Sequence, residues 1–96
     1  MFLSSYAFAG PSDTLVAGYH TMIEALGGPG IIELNVCVVT SSGITVFDGC
    51  PTREDFESFS TGEDFAASLR TAGLPAPVIT PLGEVHVAFV GQGVSA

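Results

Sequence analysis

The sequence predicts an α+β domain, in which a four-stranded antiparallel sheet has two helices on one face. Its 96 residues are enough for one core, so residues 1–96 form a single domain. Side-chain periodicity switches twice from the two-residue repeat of strands to the repeat of helices. The switch is clearest between Ile44 and Leu74, where a β-rich run breaks at Pro51 and restarts with helical spacing. The predicted element order is β-α-β-β-α-β.

The first half of the chain predicts a strand, a helix and a second strand. Residues 2–9 alternate as in a strand, and the Gly-Pro-Ser-Asp run at residues 10–13 then breaks the pattern and supplies an N-cap. Apolar side chains recur at helical spacing over residues 15–26, and the glycine-rich residues 27–30 end this helix. Residues 31–39 alternate again, which predicts the second strand.

A polar turn at residues 40–43 joins the second strand to the third, so the two strands form a hairpin. If the last two residues of this segment form the turn, Cys37 lies opposite Asp48 and Asn35 lies opposite Cys50. A carboxylate, an amide and two thiols would then share one side of the hairpin.

The third strand, residues 44–49, leads into the second helix. Thr52 is the expected N-cap, with Asp55 three residues later, and the helical pattern is interrupted at residues 60–62 before Gly73 stops it. The apolar stripe of this helix comprises Phe56, Phe59, Phe65 and Leu69.

Residues 78–90 predict a long final strand, which Pro81 and Gly83 must kink or bulge. The complete order is that of the ferredoxin-like split unit, whose helices cover only one sheet face. Because the strands are apolar or small on both sides, the uncovered face needs a partner, and a second copy of the same sheet is the simplest one. We therefore expect a homodimer through the sheet face.

Composition and charge narrow the possible partners. Hydrophobic residues make up 47% of the chain and charged residues 12%, which also favours a second buried face. The net charge of −8, with Arg53 and Arg70 as the basic residues, argues against nucleic acid and anionic membranes as partners. The first residues lack a positive region before the apolar run, so we expect no signal peptide and a cytoplasmic location.

The element order, the VFDGCPTREDFESF passage at residues 46–59 and the PLGEVH segment at residues 81–86 resemble small actinobacterial proteins of the dimeric α/β-barrel superfamily. This group contains antibiotic-biosynthesis monooxygenase-like domains. The resemblance implies that two sheets close into a barrel with helices outside and that ligands sit in a cleft between sheet and helices. Members include cofactor-free oxygenases of aromatic polyketides, polyketide cyclases, haem-degrading and isomerising enzymes, and proteins without known activity.

His86 and Asp48 are the candidate catalytic residues. His86 lies in an otherwise apolar predicted strand, where a neighbouring carboxylate would tune it for acid/base work near neutral pH. A half-buried histidine with a structural hydrogen bond is the alternative. Asp48 belongs to the polar group on the hairpin, and its alternative role is to cap the turn at Pro51.

Tyr6, Asn35 and Tyr19 are the candidate substrate-binding residues. Both tyrosines lie in apolar series, so core packing with a hydrogen-bonded hydroxyl is the first expectation and substrate contact the second. Asn35 shares its side of the hairpin with the other polar groups. His20, on the first helix, fits a residue at the solvent edge.

Several kinds of site are not expected from this sequence. The two cysteines are expected to be reduced core residues, and the Cys and His spacing gives no metal site. The chain has no lysine, and its glycine-rich segment follows a helix, so it does not form a phosphate loop. The haem-degrading branch uses an Asn/Trp/His set, which a chain without tryptophan lacks. We therefore expect no cofactor.

Two functions from different classes fit these observations. The first is a cofactor-independent enzyme that cyclises, isomerises or oxygenates a small apolar molecule, aromatic or polyketide-like, in a cleft between sheet and helices. The second is a non-catalytic homodimer that binds a hydrophobic ligand or serves as an assembly module. A cleft that encloses His86 with a second polar group favours the first, whereas a filled interior with His86 in solvent favours the second.

Overall fold

A computed structural model describes residues 1–28, 30 and 32–91 and gives a small α+β fold. The described elements are β1 (Phe2–Ala9), α1 (Ser12–Ala25), β2 (Leu34–Thr40), β3 (Gly43–Cys50), α2 (Arg53–Ser60), α3 (Glu63–Ala72) and β4 (Val78–Glu84). The strand order is β2-β3-β1-β4, and each neighbouring pair is antiparallel. This topology is compatible with the ferredoxin-like arrangement. The Pro29 of the predicted helix stop and the predicted strand start at Ile31 lie outside the described residues.

β1 is central in the sheet, and its alternation determines where the core lies. Phe2, Ser4, Tyr6 and Phe8 are buried on the side that the helices cover, and the residues that alternate with them, 3, 5 and 7, are half-buried on the other side. Leu15 and Met22 from α1 and Phe56 and Phe65 from α2 and α3 complete this core, with Ile44 and Val46 from β3. Within the described residues, a single helix layer therefore covers one face of the sheet.

The second helical region is divided, as the interruption at residues 60–62 predicts. α2 begins after Thr52, whose hydroxyl accepts a hydrogen bond from the backbone N–H of Asp55 at 3.1 Å. α3 ends at Gly73, which has the left-handed conformation that glycine adopts readily at a helix C-terminus. The division turns α3 so that Phe65 packs on Tyr6, with 5.4 Å between the ring centroids.

The register of the β2–β3 hairpin differs from the expected one. The turn comprises the two serines 41 and 42, so Thr40 pairs with Gly43 and Asn35 lies opposite Asp48. Cys37 lies opposite Val46 instead of opposite the carboxylate. Gly43 belongs to the strand because β1 passes very close to it, and a Cβ there would lie 2.0 Å from a carbonyl oxygen of β1.

β4 is shorter than the sequence indicates, since it ends at Glu84 and not at residue 90. Its pairing with β1 shifts between Leu3 and Ser4, where the predicted bulge is found, and its last paired residue lies opposite Phe2. β1 begins at Phe2, so among the described residues no strand lies opposite β4 beyond this point. His86 consequently lies outside the sheet.

The sheet face away from the helices is apolar and open. Val36, Val38 and Val78 on this face are 42%, 38% and 69% exposed. Val36 and Val38 are successive residues on this face of β2, and Val78 lies on β4 at the opposite edge of the sheet. Exposed apolar side chains that share one sheet face are of the kind that binds a partner. None of the helices in the described ranges has both the length and the apolarity needed to cross a membrane.

Candidate functional site

A cavity lies between the sheet and the helix layer, where β1, β2 and β3 face the end of α1 and the α2–α3 junction. Its volume is about 20 Å³, which is room for about one water molecule. Most of its lining is apolar and comprises Phe8, Met22, Ile23, Leu26, Ile32, Val46, Phe59 and Phe65. The polar lining residues are Tyr6, Asn35 and Asp48, which belong to the predicted site.

Asp48 is the acidic group of this cavity and is 5% exposed. Its Oδ1 accepts a hydrogen bond from Asn35 Nδ2 at 3.1 Å, across the β2–β3 pair. Burial raises the pKa of the Asp48 carboxyl above its usual value, and the hydrogen bond from Asn35 opposes part of this shift. The carboxylate therefore bonds across the hairpin and does not cap the turn at Pro51.

The basic side chains lie elsewhere. Arg53 pairs with Glu57 at 2.9 Å and Arg70 pairs with Glu63 at 2.6 Å, on exposed parts of α2 and α3. Among the described residues, Asp48 thus has an amide as its partner and no cation. A buried carboxylate without a cationic partner is costly to maintain, and such groups occur often at functional sites.

Asn35 is oriented by Tyr19. The Tyr19 hydroxyl, projecting from α1, donates a hydrogen bond to Asn35 Oδ1, so the Asn35 amide nitrogen is left to donate to Asp48. Burial also raises the pKa of the half-buried Tyr19 phenol, which therefore stays protonated as a donor. The three side chains form a chain of hydrogen bonds directed toward the carboxylate.

Tyr6 contributes a buried hydroxyl with no partner. The side chain is 3% exposed, and its oxygen forms no hydrogen bond with any described residue. The nearby Ser4 hydroxyl donates instead to the Asp48 carbonyl oxygen at 3.4 Å. Burial raises the pKa of Tyr6, so its hydroxyl stays protonated as a hydrogen-bond donor, and the residue lines the cavity.

This arrangement is suited to proton transfer on a small molecule. A carboxyl group with a raised pKa can accept or donate a proton nearer to neutral pH, and Tyr6 can donate a hydrogen bond to an oxygen that gains negative charge. The mostly apolar lining lowers the local dielectric constant, which strengthens both interactions. Of the predicted site residues, Asp48, Asn35, Tyr19 and Tyr6 lie together here.

His86 lies apart from this cavity. It is exposed and borders an open surface depression with Leu3, Leu82 and Val87, beyond the end of β4. The expected cleft around this histidine is therefore not present among the residues the structure describes. His20 is exposed on α1, as expected, and stacks edge-on against Tyr19 with 5.4 Å between ring centroids.

The cysteines are free thiols at different depths. Cys50 is buried and Cys37 is half-buried, and burial raises the pKa of both thiols. A raised pKa disfavours the reactive thiolate. Over residues 1–28, 30 and 32–91, no group of three or more His, Cys, Asp or Glu side chains is placed to hold a metal ion.

The sequence interpretation missed the apolar half of the cavity. Ile23 and Leu26 at the end of α1 and Ile32 before β2 form the wall that faces Asn35 and Asp48. The helical repeat identifies Ile23 and Leu26 as inward-facing, but it does not show that they line a cavity.

Comparison with known proteins gives no match to a family model, to a curated protein or to a solved structure.

Proposed function

We propose that this protein is a cofactor-independent enzyme that acts on a small apolar molecule, aromatic or polyketide-like, in the cavity between sheet and helices. The reaction class is cyclisation, isomerisation or oxygenation that begins with proton transfer. Asp48 is the acid/base group, Asn35 and Tyr19 orient it, and Tyr6 polarises the substrate. The observation that supports this most is a carboxylate buried among apolar walls beside a phenol that lacks a partner.

The acid/base role thus rests on Asp48 instead of the pair of His86 and Asp48. His86 lies beyond β4 and is exposed, which gives it no enclosed space in which to act on a substrate. Asp48 lines the cavity between sheet and helices, and burial raises its pKa, which is the direction that proton transfer nearer to neutral pH requires.

A non-catalytic homodimer that binds a hydrophobic ligand or serves as an assembly module is the second candidate. The small cavity, about 20 Å³, favours it, because a substrate enters only if Ile23, Leu26 and Ile32 move apart. Exposed valines on the open sheet face favour assembly in either case. We propose that two copies pack their sheets together there, as in the dimeric α/β-barrel superfamily that the sequence resembles.

Mass spectrometry of small molecules released from the purified, denatured protein would test the enzymatic proposal. Asp48→Asn keeps the shape of the side chain and removes its proton-transfer capacity, and Asp13→Asn makes the same change on the exposed first turn of α1. We expect the wild type and Asp13→Asn to release the product of the reaction. Both proteins should also form this product in vitro when the unreacted compound is added to them.

Asp48→Asn should release the unreacted compound and should turn it over about 10² to 10⁴ times more slowly. The same unconverted compound from all three proteins would favour the non-catalytic binding module. Release of no compound by any of them, together with no turnover of aromatic or polyketide-like substrates, would contradict a small-molecule function.

A further inference from the structure

We propose that the ligand of the Asp48 cavity binds through a neutral hydroxyl group, of the phenol, enol or alcohol class, held between Asp48 and Tyr6. This inference rests on the proposed function and specifies the chemistry of the ligand. It comes from a count of the hydrogen-bond donors and acceptors that the cavity leaves unused.

The two side chains are diagonal neighbours on the helix-covered face of the sheet. Tyr6 pairs with Val46 on β3, and Asp48 pairs with Ser4 on β1, so each lies two residues from the partner of the other. Diagonal neighbours of this kind lie roughly 7–8 Å apart, within reach of aromatic and long side chains. Both line the same cavity, so one polar group of a ligand can meet both.

The unused hydrogen-bonding capacity is one donor, the Tyr6 O–H, and the remaining acceptor positions of the Asp48 carboxylate. The Tyr6 O–H has no acceptor, and Asp48 receives its one side-chain hydrogen bond from Asn35 among the described residues. A hydroxyl engages both side chains, because it accepts from Tyr6 and donates to Asp48. Its bond with Tyr6 removes the cost of an unsatisfied buried hydroxyl.

Other ligand groups satisfy this pair less well. An ammonium group has no acceptor, so the Tyr6 proton would stay unpaired. A carboxylate or phosphate would bring a second negative charge beside Asp48, while Arg53 and Arg70 are occupied in ion pairs on α2 and α3. The chemistry of the cavity therefore selects a neutral group that both donates and accepts.

The size of the cavity is consistent with one such group. Its volume of about 20 Å³ holds a single oxygen-sized group, so the apolar body of the ligand must extend between Ile23, Leu26 and Ile32. One water molecule has the same donor and acceptor capacity and is the competing occupant. A ligand hydroxyl would replace that water and add the contacts of its apolar body.

Titrations of phenol, toluene and benzoate followed by ¹H–¹⁵N NMR would test this inference. Phenol and toluene have nearly the same shape and differ in the hydroxyl, and benzoate introduces an anion. The wild type should bind phenol about tenfold more tightly than toluene, the preference expected from one or two net hydrogen bonds, and should not bind benzoate.

Three variants locate the preference for the hydroxyl. Tyr6→Phe and Asp48→Asn should each lower the preference for phenol over toluene several-fold, while toluene binding stays within about twofold. Asp13→Asn should keep the wild-type preference, and the dispersion of the same spectra reports whether each variant is folded. Equal affinities for phenol and toluene in the wild type would overturn the inference and leave an apolar binding site in place.

Tighter binding of benzoate, or a phenol preference that survives both cavity substitutions, would also overturn it. Failure of all three probes to bind, with a water signal retained near Tyr6, would mean a bridging water only. In that case the proposed small-molecule function would fail together with the inference.

Discussion

Replacement of Phe56 by alanine should lower the free energy of unfolding by about 3 to 5 kcal/mol, the range for emptying a buried aromatic site. Phe56 is 6% exposed and packs on Phe2 of β1 with 5.4 Å between ring centroids. The substitution removes most of a side chain that is packed between α2 and the sheet, so it leaves a cavity in the core. The loss should therefore lie well above that of a surface change.

The adjacent residue supplies the matched control. Glu57 has a side chain 58% exposed and pairs with Arg53 at 2.9 Å, so Glu57→Ala should cost less than about 1 kcal/mol. Urea denaturation monitored by circular dichroism measures both, with equal m-values as the check that the unfolding remains two-state. Equal losses for the two variants would mean that the buried face of α2 is assigned wrongly, and the helix would have to be rotated about its axis.

Three further predictions concern the site, the sheet and the open face. Burial raises the pKa of Asp48 in the folded state above its value in the unfolded state. The free energy of unfolding therefore falls as pH rises from the unfolded pKa through the folded pKa. Asp48→Asn should therefore gain stability relative to wild type as pH rises above about 4, the ordinary pKa of an aspartate, and a pH-independent difference in urea denaturation would contradict this. Gly43→Ala should cost about 1 to 3 kcal/mol or more, because its Cβ would lie 2.0 Å from the Phe8 carbonyl oxygen, and an unchanged melting temperature would contradict the register. Light scattering should show that the wild type is a dimer and that Val36→Lys is a monomer, and the dimer interface should exceed about 1,000 Å². A wild-type monomer at micromolar concentration would exclude sheet-to-sheet association.

The element order was predictable because each signal was local. Alternation in residues 2–9, the cap at Thr52 and the interruption at residues 60–62 each depend on a few neighbouring residues, and the structure contains all three. The divided second helix follows from the same pattern. The element order predicts the coarse α+β topology, in which the hairpin makes β2 and β3 neighbours and each helical connection crosses over one strand.

The wrong predictions, of the hairpin turn and of the end of β4, fall where contacts between distant segments determine the structure. The turn shifts to residues 41 and 42 because Gly43 must pass close to β1, and no feature of the hairpin sequence shows that contact. β4 ends at Glu84 because its partner strand begins at Phe2, although the apolar pattern continues beyond it. For this reason His86 lies outside the sheet, so the strand position from which its acid/base role was predicted is wrong.

The grouping of Asp48, Asn35, Tyr19 and Tyr6 was predictable only in part. The alternation put Asn35 and Asp48 on one side of the hairpin, and the observed register brings them face to face. The sequence did not indicate that Tyr19 on α1 would reach Asn35, because that contact depends on how the helix packs across the sheet.

The most direct test of the central claim is to map where small apolar molecules bind. A ¹H–¹⁵N NMR screen with a library of neutral aromatic fragments reports the site through the backbone amides that shift. We expect the shifts to cluster at Tyr6, Asn35 and Asp48 on the strands and at Leu26 near the end of α1, which surround the cavity. Shifts confined to the surface around His86, or no shifts at millimolar fragment concentrations, would contradict the assignment of the Asp48 cavity as the functional site.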